Sequence, residues 1–349
     1  MDKERVFYPD FLRVIAVFAV IVIHITGEAQ WRVPNDSFEY HVFNVYNGLC
    51  RWAVPVFFMV SGMFMLDSSR HGGKVREDFM RLARSNIARM LMTLVAWSFF
   101  YVVCFRALGN KEVTWHTFLF KPVAHHLWFL YFIILLYILV PFLKAMLRGM
   151  ERQDLELLLL LLLVFDCSFK LVNAFSVPFY GRGLAFFIPE MAGYIVCFLL
   201  GTYIARYDAF RDAKRGMLAG TLLLTVLSIA VNAWMAQRHT QAKEFVYDYL
   251  LINIMLISCG VFILAKNTFR SGAGRFVWFE RAIRRLASLS FGIYLVHIAV
   301  LYVLVQRLKM GPTVINPIIM VPLLAVLVFV LSAAIAAALQ KIPFVRRIV

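Results

Sequence analysis

The sequence predicts an all-α membrane protein, with about ten transmembrane helices in one bundle and both termini in the cytoplasm. Of the 349 residues, 62% are hydrophobic and only 16% are charged, whereas a soluble domain carries about a quarter charged residues. Ten stretches are long and apolar enough to cross a bilayer core of about 30 Å. Basic residues concentrate in alternate connections. This composition excludes a water-soluble enzyme, a disordered chain and a disulfide scaffold.

The predicted spans follow one another with short connections. They cover residues 11–29, 50–67, 86–105, 127–147, 155–173, 186–205, 216–236, 248–266, 286–306 and 313–340. The first carries isolated ionisable residues, the second contains VPVFFMVSGMFML, and the third follows a basic stretch. The fourth begins near HHLWFLYF, the fifth contains the entirely apolar run from Leu157 to Phe165, and the ninth contains SLSFGIYLVHIAVL. Since no connection is long enough for a soluble domain, we expect residues 1–349 to form a single integral membrane domain.

The distribution of basic residues predicts the orientation. The chain has 36 Lys and Arg against 20 Asp and Glu, a net charge of +16. With ten spans, 24 of the 36 fall on the side of the N-terminus and 11 on the other side, while Arg13 lies within the first span. Cytoplasmic loops of membrane proteins carry such an excess. We therefore expect both termini inside, and basic loops that face anionic membrane lipids rather than nucleic acid.

The first span carries three ionisable residues, Asp10, Arg13 and His24. A charged residue in a span costs about 2.5–3.5 kcal/mol on insertion scales, so each needs a partner, a cavity or a function. Arg13 and His24 are eleven residues apart. In an α-helix this spacing points the two side chains within about 20° of the same direction and separates them by about 16 Å along the axis. Asp10 is spaced to pair with Arg13. Considered separately, Arg13 could also be an anchor at the membrane interface, and His24 could also form a hydrogen bond between helices. Together they favour a polar cavity open to the inside.

Arginines Arg81, Arg84 and Arg89 lie at the cytoplasmic start of the third span. Guanidinium groups bind phosphates through bidentate hydrogen bonds. A positive-inside signal explains the same residues without a ligand, so both interpretations stay open.

Other polar positions in the spans have weaker signals. Ser61 and Gly62 favour close helix packing, and His126 and Trp128 fit an interfacial belt. His297, in the ninth span, lies at a depth similar to that of His24 and so could share its cavity, and Tyr294 lies one helical turn before it. The five cysteines lack the spacing of metal ligands, so we expect no metal site.

These segments resemble a known family. The opening YPDFLRVIAVFAVIVIH, followed in order by VPVFFMVSG, HLWFL and SFGIYLVH, is similar to the acyltransferase-3 family of integral membrane O-acyltransferases. The resemblance covers nearly the whole chain. The chain departs from it at the basic motif, where Arg84 and Arg89 enclose SNIA and the usual following proline is absent.

The resemblance implies a multi-pass enzyme of the bacterial inner membrane. It would move an acyl group, commonly acetyl, from cytoplasmic acyl-coenzyme A to a hydroxyl of a cell-envelope or surface glycan or of a lipid-linked sugar. The family's essential Arg and His match Arg13 and His24, and its basic motif matches Arg81, Arg84 and Arg89. Ser61, His126, Trp128, Tyr294 and His297 become candidates for lining the acceptor side. His24 would act as a general base or as a nucleophile.

Two other functions fit the same residues. Ten spans with intramembrane Arg, His and Asp also describe a proton-coupled transporter or a glycan flippase, although the sequence shows no detectable repeat. A non-catalytic subunit of a polysaccharide export complex is the third. Acyl group, acceptor sugar and oligomeric state leave no signal in the sequence.

Overall fold

The structure is a computed structural model that describes residues 6–67, 74–107, 122–180, 187–208, 210–211, 213–238, 244–270 and 277–349, with the backbone alone over 171–190. It contains twelve α-helices over these residues and no β-strand. In chain order they are α1 Tyr8–Gln30, α2 Phe38–Cys50, α3 Ala53–Met65, α4 Val75–Leu82, α5 Ala88–Ala107, α6 Trp128–Arg148, α7 Arg152–Tyr180, α8 Phe187–Arg206, α9 Lys214–Arg238, α10 Ile252–Thr268, α11 Val277–Tyr302 and α12 Pro317–Leu339.

The predicted fold class is confirmed. Within the described part of the chain, eight helical segments are long and apolar enough to cross a membrane. They contain most or all of eight of the ten predicted spans. The fifth and sixth predicted spans fall on α7 and α8. Large apolar side chains on α5, α9 and α12 face outward, among them Val95, Leu223 and Val326, as a lipid-facing surface requires.

Three predicted boundaries were wrong. The second span begins at Phe38 rather than residue 50 and consists of α2 and α3 in succession. Pro55 has no N–H to give to the carbonyl of Arg51, so the regular helix is interrupted there. The third span begins at Val75 and the ninth at Val277, because both apolar segments are preceded by polar helix that hydropathy does not detect.

Helix α1 lies inside the bundle and contacts α2, α3, α10, α11 and α12. Its N-terminal part and the C-terminal segment of the chain lie at the same end of α11. Asp10 is 3.5 Å from Arg284, and the Gln340 amide donates a hydrogen bond of 3.1 Å to the Ser288 carbonyl. We call this end of the bundle the terminal end and the other the opposite end. Because residues near both ends of the described chain lie at the terminal end, the chain between them crosses the bundle an even number of times.

The backbones of α3 and α8 pack closely against each other at two glycines. A Cβ atom added to Gly62 would lie 2.0 Å from the carbonyl oxygen of Phe198, and one added to Gly201 would lie 1.9 Å from that of Met59. Only glycine fits at both positions. The expected packing role of the small residues in the second span is confirmed for Gly62.

Candidate active site

A single cavity of about 1030 Å³ passes through the bundle beside α1. Its wall includes Arg13 and Arg89 at the terminal end, His24 at depth, and Trp31 and Arg32 at the opposite end. The α1 segment from Arg13 to Trp31 rises about 27 Å. The structure therefore brings Arg13 and His24 to the wall of one passage that reaches from one end of the bundle towards the other.

The terminal end of the cavity contains a buried acid between two arginines. Asp10 is 2% exposed and does not itself line the cavity. Its carboxylate oxygens lie 3.8 Å from the Arg13 guanidinium and 3.5 Å from that of Arg284. The Arg13 guanidinium also lies 4.9 Å from the centre of the Phe64 ring. These contacts hold the Arg13 head group in the cavity wall, and they make Asp10 a residue that positions it.

The three arginines of the basic motif occupy different surroundings. Arg89 lines the cavity, whereas Arg81 and Arg84 do not. Arg81 donates a hydrogen bond of 2.9 Å to Asp78, a buried acid whose other oxygen lies 4.0 Å from Arg148. Arg84 is exposed. Of the three predicted phosphate ligands, the structure thus brings only Arg89 to the same cavity as Arg13.

A π-helical turn, Ala83–Ile87, explains the unusual spacing of the basic motif. Residues five apart on an α-helix point about 140° away from each other. A π-turn closes its hydrogen bonds over five residues instead of four, and here the Ala88 N–H bonds the Ala83 carbonyl. The wider turn brings Arg84 and Arg89 closer to one face of the helix than the sequence spacing indicates.

Four histidines from three segments meet in the middle of the passage. We call His24, His125, His126 and His297 the histidine cluster. The His24 ring centre lies 5.2 Å from that of His297, 6.3 Å from that of His125 and 6.4 Å from that of His126. His126 and His297 are 5.1 Å apart. Among the described residues no group of three or more His, Cys, Asp or Glu could hold a metal ion.

His297 lies behind His24 rather than in the cavity wall. It is fully buried, and its Nδ1 lies 2.5 Å from the Tyr294 carbonyl oxygen. A carbonyl only accepts, so Nδ1 carries the proton and Nε2 keeps its lone pair. Within the described chain Nε2 has no hydrogen-bond partner. His297 therefore keeps an acceptor atom without a partner among the described residues, on a ring whose centre lies 5.2 Å from that of His24.

The remaining predicted residues line the cavity around the cluster. Ser61, His126, Trp128 and Tyr294 all belong to its wall. The Tyr294 hydroxyl donates a hydrogen bond to the His126 carbonyl oxygen, which ties α11 to the short 3-10 turn before α6. Ser61 comes from α3, one residue before the glycine that packs on α8.

Sequence reasoning missed a charged group at the opposite end. Arg51 is 7% exposed and lines the cavity, as does Glu244, whose Oε2 lies 3.2 Å from the Arg51 guanidinium. Arg51 also donates a hydrogen bond of 2.5 Å to Asn47. A lone cation in the apolar stretch LCRWAVP was the available signal. Arg51 lies at the edge of the predicted second span, 50–67, and the count of basic residues grouped it with the preceding connection.

One comparison with known proteins identifies the chain. A family model described as an acyltransferase domain matches residues 6–337. The chain belongs to the acyltransferase-3 family. No protein of curated function and no solved structure is significantly similar to it. For an acyltransferase-3 protein, a passage with a basic end and a deep imidazole is a suitable site for acyl transfer in a membrane. The resemblance noted in the sequence is confirmed at the level of the family.

Proposed function

We propose that this acyltransferase moves an acyl group from cytoplasmic acyl-coenzyme A to a hydroxyl of a cell-envelope glycan, in the bacterial inner membrane. The observation that carries the proposal is the single cavity that contains Arg13, Arg89 and His24. We place the terminal end in the cytoplasm because 24 of the 36 basic residues belong to that side. Membership of an acyltransferase family favours group transfer over proton-coupled transport or flipping.

The donor has phosphates at one end and a thioester at the other, joined by a long flexible arm. Arg89 and Arg13 would bind the phosphate end at the cytoplasmic mouth, with Arg84 and Arg81 on the adjoining surface. His24 lies about 16 Å deeper along α1, where the thioester would meet it. This separation supports an extended donor that reacts far from its charged group.

His24 would take the proton from the acceptor hydroxyl. The hydroxyl oxygen then attacks the thioester carbonyl, a C–O bond forms, the C–S bond breaks, and the proton passes to the leaving thiolate. In the alternative route, His24 attacks the thioester first, the C–S bond breaks, and the thiolate leaves with the imidazole proton. The acceptor hydroxyl then attacks the acyl-imidazole, a C–O bond forms, the C–N bond breaks, and the hydroxyl proton returns to His24. Nε2 of His297 would orient the His24 ring in either route.

We further propose acetyl as the acyl group. We base this on the resemblance of the segments quoted above to the O-acetyltransferase of the enterobacterial common antigen. Acetyl-coenzyme A is therefore the donor to test first, with a lipid-linked or assembled envelope glycan as the acceptor.

Replacing His24 with alanine tests the assignment. We expect His24→Ala to lower acyl transfer by at least about 100-fold, the usual contribution of a general acid or base. His41→Ala, on α2 and outside the cavity wall, is the matched control and should leave transfer unchanged. Mass spectrometry of the envelope glycan and turnover of the purified protein measure the effect. A folded His24→Ala variant that still acylates its glycan would remove His24 from the mechanism.

Rapid quenching separates the two routes. Wild-type protein mixed with radiolabelled acetyl-coenzyme A and no acceptor retains label on the protein only if an acyl-imidazole forms. Uptake of the glycan into proteoliposomes without any acyl donor would instead favour a transporter.

A further inference from the structure

A second pocket of about 550 Å³ adjoins the main cavity at the opposite end, and the chemistry proposed above does not use it. The two share five lining residues, Arg51, His125, Trp128, Glu244 and Tyr249. His125 connects them, because its ring also lies 6.3 Å from that of His24. A molecule in the smaller pocket can thus extend a group towards the histidine cluster. We call this space the acceptor pocket.

The charged side chains of the acceptor pocket form two ion pairs. Arg51 pairs with Glu244 at 3.2 Å, and Lys170 pairs with Asp248 at 2.5 Å. The four charges cancel, so the pocket presents fixed donors and acceptors but no net charge. A site for a phosphate or a carboxylate would instead leave a cation free for the ligand. The absence of net charge in the pocket favours a neutral, hydroxyl-rich ligand.

Aromatic rings supply the apolar part of the wall. Trp128 and Tyr249 stack with an interplanar angle of 23° and ring centres 6.1 Å apart, and Tyr194 lies 5.6 Å from Trp128. Binding sites for small molecules combine such apolar surface with a few fixed polar groups. A sugar ring has both kinds of surface, with C–H groups on its faces and hydroxyls at its edge.

Two buried polar atoms beside the pocket lack partners. Glu244 Oε1, an acceptor, and Asn47 Nδ2, a donor, form no hydrogen bond with any described residue. A Cβ atom on Gly27 would lie 4.0 Å from the first and 3.6 Å from the second, so both face Gly27, one turn of α1 beyond His24. A buried donor or acceptor without a hydrogen bond destabilises the folded protein. A ligand hydroxyl, which donates and accepts, complements this pair.

The backbone at Glu244 is held in an unusual conformation. Its φ is 70°, in the left-handed region that residues other than glycine rarely adopt. Its N–H donates a hydrogen bond of 3.2 Å to Asn232, which in turn bonds Asn44 at 2.8 Å. Residues kept in such conformations concentrate at ligand sites.

We propose that the acceptor pocket binds an uncharged sugar residue of the glycan, with its ring against Trp128 and Tyr249 and a hydroxyl on Glu244 and Asn47. This rests on the proposed function, because it assumes that a glycan is the acceptor. Beyond that function, the proposal specifies where the sugar binds and which class of sugar the protein accepts. A second hydroxyl of the bound sugar then faces the histidine cluster.

Two variants test the pocket without altering the donor end. Gly27→Ala adds a methyl group at ordinary contact distance from the two atoms that lack partners. We therefore expect the variant to fold, while the methyl group blocks a ligand hydroxyl from reaching these atoms. Glu244→Gln keeps the shape of the side chain and removes its charge. Gly220→Ala, on α9 with no atom within 4 Å of the added methyl, is the matched control. Thermal unfolding in detergent checks that each variant is folded.

The measurements separate the acceptor from the donor. Calorimetry compares a neutral methyl glucoside with the corresponding methyl glucuronide, and a second assay follows acetyl-coenzyme A hydrolysis without sugar. We expect the wild type to bind the neutral glycoside more tightly, and Gly27→Ala and Glu244→Gln each to weaken that binding by about tenfold or more, as the loss of one buried hydrogen bond predicts. In the Gly220→Ala control, both sugar binding and hydrolysis should stay within twofold of the wild type.

Each contrary result has a distinct meaning. Tighter binding of the glucuronide, or unchanged binding of the neutral glycoside in both folded variants, would refute the acceptor pocket. If the wild type failed to turn over acetyl-coenzyme A with any acceptor, the proposed function would fail first. Sugar binding that is present in the wild type and in Gly220→Ala but lost in both folded pocket variants supports the pocket.

Discussion

The contact between α3 and α8 gives a prediction whose size follows from the structure. In Gly201→Ala the new Cβ would lie 1.9 Å from the Met59 carbonyl oxygen. Carbon and carbonyl oxygen atoms approach to about 3.3 Å, so the two helices must separate by about 1.4 Å. The obstructing atom belongs to the backbone, and no rotamer change relieves it. We expect a loss near the upper end of about 1–3 kcal/mol, the usual cost of overpacking.

Gly62→Ala requires nearly the same separation, because its Cβ would lie 2.0 Å from the Phe198 carbonyl oxygen. One movement then accommodates both methyl groups. The double variant should therefore lose less stability than the sum of the single variants, with a coupling of about 1 kcal/mol or more. Acyl transfer should also fall, since α3 carries Phe57 and Ser61 in the cavity wall.

Thermal unfolding in detergent measures these effects. We expect Gly201→Ala to unfold about 5 °C or more below the wild type, while the Gly220→Ala control unfolds at or above the wild-type temperature, because alanine favours the helix. Equal unfolding temperatures for Gly201→Ala and Gly220→Ala would refute the close crossing. Strict additivity in the double variant would show that the two glycines do not share one contact.

Three further predictions concern the site and its surroundings. Arg89→Met should raise the KM for acetyl-coenzyme A by about tenfold or more and Arg84→Met by less, because Arg89 alone of the two lines the cavity; equal effects in steady-state kinetics would contradict this. His297→Ala should lower kcat while leaving the acetyl-coenzyme A KM within twofold, and His297→Asn, which keeps a polar group there, should retain more activity; a rise in KM alone would count against an orienting role. Hydrogen bonds from Lys266 and Arg270 lower the pKa of Asp208 to about 2, so its stabilising effect is complete above the unfolded value of about 3.9 and is lost only as the pH falls towards 2. Asp208→Asn should therefore lower the unfolding temperature by the same small amount at pH 5 and at pH 8. A decrease in unfolding temperature that differs between these two pH values would argue against the low pKa.

The periodicity of a single helix was sufficient to predict the centre of the site. Arg13 and His24 share a face of α1 because eleven residues make nearly whole turns, and Asp10 lies close to Arg13 for the same local reason. The apolar stretches likewise predicted the fold class, since hydropathy alone determines which segments can cross a bilayer.

Contacts between distant segments were not predictable in the same way. Arg51 and Glu244 are far apart in the sequence, and nothing local to either indicates the other. His297 was expected to share the cavity of His24, but the structure places it behind the wall, a difference set by the rotation of α11. The π-turn before α5 also escaped detection, because its departure from α-helical spacing depends on packing rather than on composition.

The central position of α1 constrains how the protein is made. This helix leaves the ribosome before its neighbours α10, α11 and α12, which follow much later in the sequence. Asp10 therefore enters the bilayer long before Arg284 exists to face it. Until then, the nascent segment needs protection by the insertion machinery or by water at the membrane surface. Chains released before α11 is complete should consequently be recognised by quality-control proteases, whereas loss of α12 alone should be better tolerated.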